Sequence, residues 1–233
     1  SLSVAIGIGA TTTIFTLANA LLLRDPAGVS VPDRLVDIGV TRQRVGFGAS
    51  SYPNYLDIHE RITTLDGVYA HPRFPEAMSV TAAGGAGSVA FAMQVSANYF
   101  TVLGAVPAAG RLFGAADAAE SAEVTVLSHR YWTRRFNRNL TIIGGVLRLN
   151  GRAFTVVGVA REGFQGTGVS SPDLWVPLRS NVQRGTSWLM MGGRLKPGVS
   201  VAQAAAELDA LGGALAQAHP SDNKDSGLTA RAL

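Results

Sequence analysis

Residues 146–159 read Val-Leu-Arg-Leu-Asn-Gly-Arg-Ala-Phe-Thr-Val-Val-Gly-Val, and this stretch is the strongest local indication of the fold. Apolar and polar residues alternate on both sides of Asn150 and Gly151, with the period of a half-buried β-strand. An Asn-Gly pair favours the positive φ angles of a type I′ turn, whose twist suits an antiparallel pair of strands. The stretch therefore predicts a β-hairpin that turns at residues 150 and 151.

Strands and helices are predicted to alternate irregularly around this hairpin. Further strands are expected at residues 34–40, 76–82, 88–95, 123–127, 174–177, 187–195 and 228–233. Helices are expected at residues 51–62, 97–103, 128–137 and 201–219, three of them with the N-caps Ser51, Ser128 and Ser200. Irregular mixing of the two element types indicates an α+β fold class. We expect two α+β subdomains, with a break near residues 105–123.

The N-terminal segment carries no charge before Arg24. It begins with Ser1 rather than methionine, so we expect the sequence to be part of a longer chain. As a helix its 23 residues would rise about 34 Å, enough to cross a hydrocarbon core of about 30 Å. This predicts a transmembrane helix over residues 1–24 and a main domain over residues 25–233. The alternatives are a buried helix of a soluble domain and the remnant of a signal peptide, although the segment lacks a basic start.

The composition excludes several classes of protein. The 233 residues are 47% hydrophobic and 15% charged, which is too apolar for a disordered chain. A net charge of +4 is too small an excess to indicate a nucleic-acid partner. Because the chain has no cysteine, it can form neither disulfides nor thiolate zinc sites, and it has no cysteine nucleophile.

A search for catalytic, cofactor-binding and metal-binding motifs predicts none. His59-Glu60 begins a zincin-like string, but no second histidine follows at the required spacing. The dipeptide Gly-Lys, which a nucleotide-binding P-loop requires, does not occur in the chain. Ser170 lies in a string that lacks the last glycine of a nucleophile elbow. We therefore expect a protein that is not an enzyme and holds no cofactor or metal, with a triad of distant residues as the open alternative.

Residues 124–161 hold seven arginines and no acidic residue. Arg130, Arg134 and Arg138 recur every four residues on one face of the predicted helix, whereas Trp132 and Phe136 lie on another face. One interpretation is a contact surface for lipid headgroups or an acidic partner. The alternative, which the sequence favours, is a solvated helix face whose aromatic residues anchor it in the core.

Several strings, taken in order, resemble one family. Residues 7–24 are similar to the first membrane helix of MacB-like and FtsX-like permeases. Later strings resemble successive signatures of the MacB-like periplasmic core domain, among them Ser51-Tyr-Pro-Asn-Tyr-Leu-Asp57, Val95-Ser-Ala-Asn-Tyr-Phe-Thr-Val-Leu-Gly104 and Arg194-Leu-Lys-Pro-Gly-Val-Ser200. The connector at residues 24–30 departs from the family pattern, which has a more proline-rich join. The strings at residues 164–168 and 173–175 are most similar to the orphan-permease subgroup.

This resemblance implies a permease subunit of the bacterial cytoplasmic (inner) membrane. Its large domain would lie in the periplasm or extracellular space and would consist of two α+β lobes. The implied partners are a cytoplasmic ABC ATPase, a second permease copy in a dimer and a periplasmic adaptor, although orphan permeases lack an obvious neighbouring ATPase. The implied function is to couple ATP hydrolysis to export or to lipid or peptide handling outside the membrane, with no catalytic residue. The alternatives are a membrane-anchored periplasmic binding module and a membrane-anchored hydrolase.

Overall fold

The computed structural model describes residues 27–82, 85–118, 123–168 and 170–233. The fold is α+β, which confirms the predicted fold class. The transmembrane helix predicted over residues 1–24 lies outside the described residues. Among the described helices, none combines the length and the apolar character needed to cross a membrane.

The described residues form twelve strands and five α-helices. The strands are β1 (Leu35–Arg42), β2 (Val45–Gly48), β3 (Leu65–Pro72), β4 (Glu76–Ala82), β5 (Ser88–Val95), β6 (Pro107–Gly110), β7 (Val124–Leu127), β8 (Val146–Leu149), β9 (Arg152–Ala160), β10 (Leu174–Pro177), β11 (Leu189–Leu195) and β12 (Ser226–Ala232). The helices are α1 (Tyr52–Arg61), α2 (Tyr99–Leu103), α3 (His129–Phe136), α4 (Val201–Ala218) and α5 (Pro220–Asn223). The predicted elements are therefore present, with bounds that differ by a few residues.

One sheet has five strands in the order β12-β1-β11-β3, with β2 paired to β1. The long helix α4 begins at the predicted N-cap Ser200, whose hydroxyl accepts a hydrogen bond from the Gln203 amide, while the Gln203 side chain accepts one from the Ser200 amide. This reciprocal arrangement is a capping box. The side chains of Ala204, Leu208 and Leu215 on α4 are buried with those of the sheet.

The second sheet has seven strands in the order β6-β9-β7-β10-β5-β4-β8. Because β8 also pairs with β9, six of these strands close into a ring. Alternate residues of all six strands form one buried apolar cluster inside the ring: Val80, Ala90, Ala92, Leu127, Leu147, Leu149, Phe154, Val156, Leu174 and Val176. Burying one such aliphatic side chain contributes about 1.5–3 kcal/mol.

The predicted hairpin supplies the closing pair of strands. Asn150 and Gly151 have φ angles of 48° and 82°, as a type I′ turn requires. Asn150 also ties the turn to β4, because its amide donates to the Ser79 carbonyl at 2.9 Å and its Oδ1 accepts from the Ser79 amide at 2.9 Å. The hairpin prediction is therefore confirmed, and the contact with β4 explains how the ring closes.

A third buried cluster joins the two sheets. Leu35 and Tyr69 of the five-stranded sheet pack with Phe100 of α2 and with Met93 and Trp175 of the seven-stranded sheet. Beside this cluster the Ser96 hydroxyl accepts a hydrogen bond from the Ala70 amide at 3.0 Å, and the Ser96 amide donates to the Ala70 carbonyl at 2.9 Å. We call this region the sheet junction: the cluster around Tyr69, Phe100 and Trp175 with the polar residues that border it.

The chain passes between the sheets after β3 and again before β11. The break predicted near residues 105–123 stays a prediction; β6, inside that range, and β7, directly after it, both belong to the seven-stranded sheet. Strand β3 was not predicted, because both of its faces are largely buried and it lacks the polar alternation of a surface strand. The division of residues 25–233 into two subdomains stays a prediction.

Candidate functional site

The arginines singled out by the sequence lie on and just beyond helix α3. The helix begins after the predicted N-cap Ser128, whose hydroxyl accepts a hydrogen bond from the Tyr131 amide at 3.2 Å. It ends at Phe136, and the next two residues, Asn137 and Arg138, have φ angles of 46° and 58°. Arg138 therefore does not continue the i, i+4, i+8 row that the sequence predicted, since these left-handed residues end the helix before it.

The opposite side of α3 is anchored in the protein. Trp132 is 6% exposed and packs on the cluster inside the ring, and its Nε1 donates to the Asn139 carbonyl at 2.9 Å. Tyr131 is buried in the same cluster, and Phe136 is partly buried against it. The aromatic residues of α3 thus hold the helix on the ring, as the structural interpretation expects.

Arg130 and Arg134 share a buried carboxylate. Asp173, directly before β10, is 3% exposed, and its Oδ1 lies 3.0 Å from Arg134 Nη2 and 3.7 Å from Arg130 Nη2. Its Oδ2 accepts a hydrogen bond from the Phe91 amide at 3.1 Å. A buried carboxylate is costly without such partners. These two arginines therefore have a structural role, although more than half of each side chain is exposed.

Arg138 is held differently. Its guanidinium lies 5.9 Å from the centroid of the Trp132 ring, and its Nη2 donates to His129 Nε2 at 3.3 Å. Within the described residues, none of the ion pairs involves Arg138. The structure therefore brings the three predicted arginines to one surface but gives a carboxylate partner to only two of them.

A shallow depression of about 580 Å³ lies beside these arginines. Its walls come from α3 and from the loop that follows β9, and its lining residues are His129, Arg130, Thr133, Arg134, Arg138, Glu162 and Gly163. We call it the α3 depression. Such a surface can bind an anionic group through guanidinium hydrogen bonds, and Glu162 is the acidic residue on its wall.

A second polar cluster borders the sheet junction. Thr167, in the loop between β9 and β10, donates from its amide to the Tyr99 hydroxyl at 3.1 Å, and its Oγ1 lies 3.4 Å from His71 Nε2. His71 Nδ1 donates to the Pro72 carbonyl at 2.7 Å. Gly166 permits this approach, because a Cβ there would lie 2.3 Å from the Tyr99 hydroxyl oxygen. The loop is thereby attached to β3, which belongs to the other sheet.

Burial keeps the side chains of this cluster neutral. It lowers the pKa of His71 from 6.5, against the raising effect of the hydrogen bond to Pro72. It also raises the pKa of Tyr99 above its usual value. A hydroxyl beside an imidazole is the arrangement of a nucleophile and its base, but here Nδ1 binds a carbonyl instead of a carboxylate. Sequence spacing could not reveal this pair, because Thr167 lies 96 positions from His71.

Solved structures with the same fold are domains of membrane permeases and transporters. The chain resembles a permease-protein domain from Porphyromonas gingivalis, with a TM-score of 0.66, 16% identity and coverage of 88% of this chain and 93% of that chain. The periplasmic region of MacB from Actinobacillus actinomycetemcomitans gives a TM-score of 0.60 at 18% identity, with 89% and 92% covered. The extracellular domain of the noncanonic ABC-type transporter YknZ from Gram-positive bacteria gives 0.60 at 12% identity, with 84% and 99% covered.

These likenesses show the fold, which the chain shares with a permease-protein domain, the periplasmic region of MacB and the extracellular domain of YknZ. The sequence itself matches the MacB-like periplasmic core domain over residues 1–211. The chain therefore belongs to the MacB-like periplasmic core domain family, as its sequence strings predicted. No curated protein sequence matches it.

Proposed function

We propose that this domain belongs to an ABC-type permease subunit of the bacterial inner membrane and couples cytoplasmic ATP hydrolysis to export or to lipid or peptide handling outside the membrane. The observation that carries the proposal is family membership over residues 1–211. The proposed membrane anchor is residues 1–24, and the proposed partners are a cytoplasmic ABC ATPase, a second permease copy and a periplasmic adaptor.

The attachment of the segment that follows the proposed anchor supports this role. The Leu233 amide donates to the Leu35 carbonyl at 3.3 Å, so β1 and the last described residue lie side by side. Close by, Arg194 donates to the carbonyls of Ser30 and Val31 at 2.6 and 3.0 Å. These contacts hold residues 30 and 31, which follow the proposed anchor, against the five-stranded sheet.

The absence of cysteine allows a direct test of topology. A cysteine introduced at Val45, which is 75% exposed, should react with a membrane-impermeant maleimide added to intact spheroplasts. Ala160→Cys is the matched control, because Ala160 is fully buried and a cysteine there should react only after denaturation. If Val45→Cys reacted only after the membrane was broken, the extracytoplasmic location would be wrong.

Coupling requires a second experiment, on the permease reconstituted with its ATPase. If hydrolysis moves one sheet against the other, ATP should change the maleimide reaction rate of Thr167→Cys, because Thr167 bridges the two sheets through His71 and Tyr99. The rate at Val45→Cys should stay constant. An unchanged rate at position 167 during measured ATP hydrolysis would contradict the coupling.

We also propose that the domain is not an enzyme. The Thr167 and His71 side chains have the elements of a nucleophile and a base, yet the base is oriented by the Pro72 carbonyl and has a lowered pKa. An activity-based fluorophosphonate probe should therefore leave the chain unlabelled. Labelling that disappears in Thr167→Val would instead support the anchored hydrolase.

A further inference from the structure

The α3 depression lies beside the point where the described chain begins. A Cβ on Gly163, which lines the depression, would lie 3.8 Å from the Cβ of Ala27, and one on Gly28 would lie 3.1 Å from the Cβ of Phe164. Residues 27 and 28 therefore pack against the loop that forms one wall of the depression.

This contact places the arginines close to the proposed membrane anchor. Ala27 lies three positions after Arg24, where the uncharged segment ends, and three residues span at most about 11 Å. The headgroup layers extend the bilayer from about 30 Å to about 40–45 Å, and the charge of an anionic surface acts over about 8–10 Å in physiological salt. If residues 1–24 cross the membrane, the α3 depression lies within reach of the headgroups.

The charges of the depression fit an anionic occupant. Arg130 and Arg134 already form ion pairs with the buried Asp173, so the carboxylate partly neutralises their charges. Arg138 has no carboxylate partner among the described residues, and its position is set by its contacts with Trp132 and His129. A guanidinium held in this way is ready to form charge-assisted hydrogen bonds to phosphate oxygens.

We propose that the α3 depression binds the phosphate of anionic lipid headgroups, chiefly through Arg138, with Arg130 and Arg134 on its rim. This rests on the proposed membrane anchor. Glu162 on the opposite wall opposes the binding by repulsion. Headgroup binding would fix the orientation of the ring of strands relative to the bilayer.

The test uses the full chain in vesicles and its lack of cysteine. Bimane attached to Thr133→Cys reports on the depression. Bimane on Val45→Cys reports on the β1–β2 turn, at the end of β1 opposite to Leu35. The vesicles contain phosphatidylcholine alone or with phosphatidylglycerol, and both contain the same nitroxide-headgroup quencher lipid. We expect phosphatidylglycerol to increase quenching at position 133 but not at position 45, and high salt to reverse the increase.

Two variants that are expected to change headgroup binding in opposite directions separate binding from a structural role. Arg138→Gln should raise the phosphatidylglycerol content needed for half-maximal quenching about fivefold, the usual contribution of one basic residue near an anionic surface. Glu162→Gln should lower it. Arg44→Gln is the matched control, because Arg44 is also an exposed arginine with a left-handed backbone, and it should change nothing.

The outcomes separate this inference from the proposed function. A chain that does not float with phosphatidylcholine vesicles overturns both. A chain that floats, but whose label at position 133 does not respond to phosphatidylglycerol, overturns only the headgroup site. The headgroup site would also be overturned if inorganic phosphate or a soluble polyglutamate peptide changed the bimane fluorescence at position 133 as much as phosphatidylglycerol does. The depression would then bind free anions or an acidic partner.

Discussion

The sheet junction and the outer face of α3 use arginine in different ways. At the corner of the junction, Arg194 donates to three backbone carbonyls, those of Val102, Ser30 and Val31, at 2.6, 2.6 and 3.0 Å. Burial lowers the pKa of Arg194, and the nearby Arg34 lowers it further. Just beyond the end of α3, Arg138 is exposed and contacts an imidazole and an aromatic face in the described structure. The first arrangement holds the chain together, whereas the second leaves a cation available for a partner.

The largest change in stability is expected where the aromatic side of α3 packs on the ring of strands. Trp132→Ala should lower the free energy of unfolding by about 3–5 kcal/mol, because it removes a buried aromatic and leaves a cavity. Denaturant unfolding of the chain in detergent micelles, compared with Trp132→Phe, measures the loss. Unchanged stability of Trp132→Ala would mean that α3 is not anchored by its aromatic side.

The next largest change in stability is expected at the sheet junction, where Arg194 binds backbone carbonyls. Arg194→Ala should lower the free energy of unfolding by about 2–3 kcal/mol, because three carbonyls lose their partner and a hydrogen bond from a charged donor contributes about 1.5–3 kcal/mol. Arg194→Lys, which keeps one cationic donor, should recover part of the loss. Equal stability of the wild type and Arg194→Ala would show that this corner does not depend on the guanidinium.

A third prediction concerns pH. Because the pKa of His71 is lower in the folded chain than its ordinary 6.5, the unfolded chain binds more protons below that pH. Stability should therefore fall as the pH decreases from 7 toward 5, by at most about 1.4 kcal/mol per pH unit from this group. His71→Gln should have a shallower pH dependence, measured by unfolding at each pH. Identical slopes in the two proteins would contradict the buried neutral histidine.

The smallest change in stability is expected for the arginines beside α3, where Arg138 and Arg134 differ in their partners. Arg138→Gln should lower the free energy of unfolding by only about 0.5 kcal/mol, the low end for an exposed contact between a guanidinium and an aromatic ring. Arg134→Gln should cost more than this, because it withdraws a partner from the buried Asp173. Thermal unfolding of the two variants side by side decides the point. A larger loss in Arg138→Gln would mean that its contact with Trp132 is structural.

The sequence by itself determined the local parts of this protein. The hairpin at Asn150 and Gly151 forms as predicted, because only particular residues adopt positive φ at low cost. Ser51, Ser128 and Ser200 each accept a hydrogen bond from an amide at the start of the predicted helix. Family membership also followed from the order of short strings. These features are set by interactions between residues a few positions apart.

Only the tertiary structure decided which distant groups meet. Arg134 binds Asp173 across 39 positions, and Thr167 reaches His71 across 96. Helical spacing placed Arg138 in a row with Arg130 and Arg134, but the left-handed residues after Phe136 redirected it onto Trp132. Neither the burial of Asp173 nor the closure of the ring by β8 and β9 has a local signal. Each depends on which surfaces pack together, and alternating patterns specify a buried face without specifying its partner.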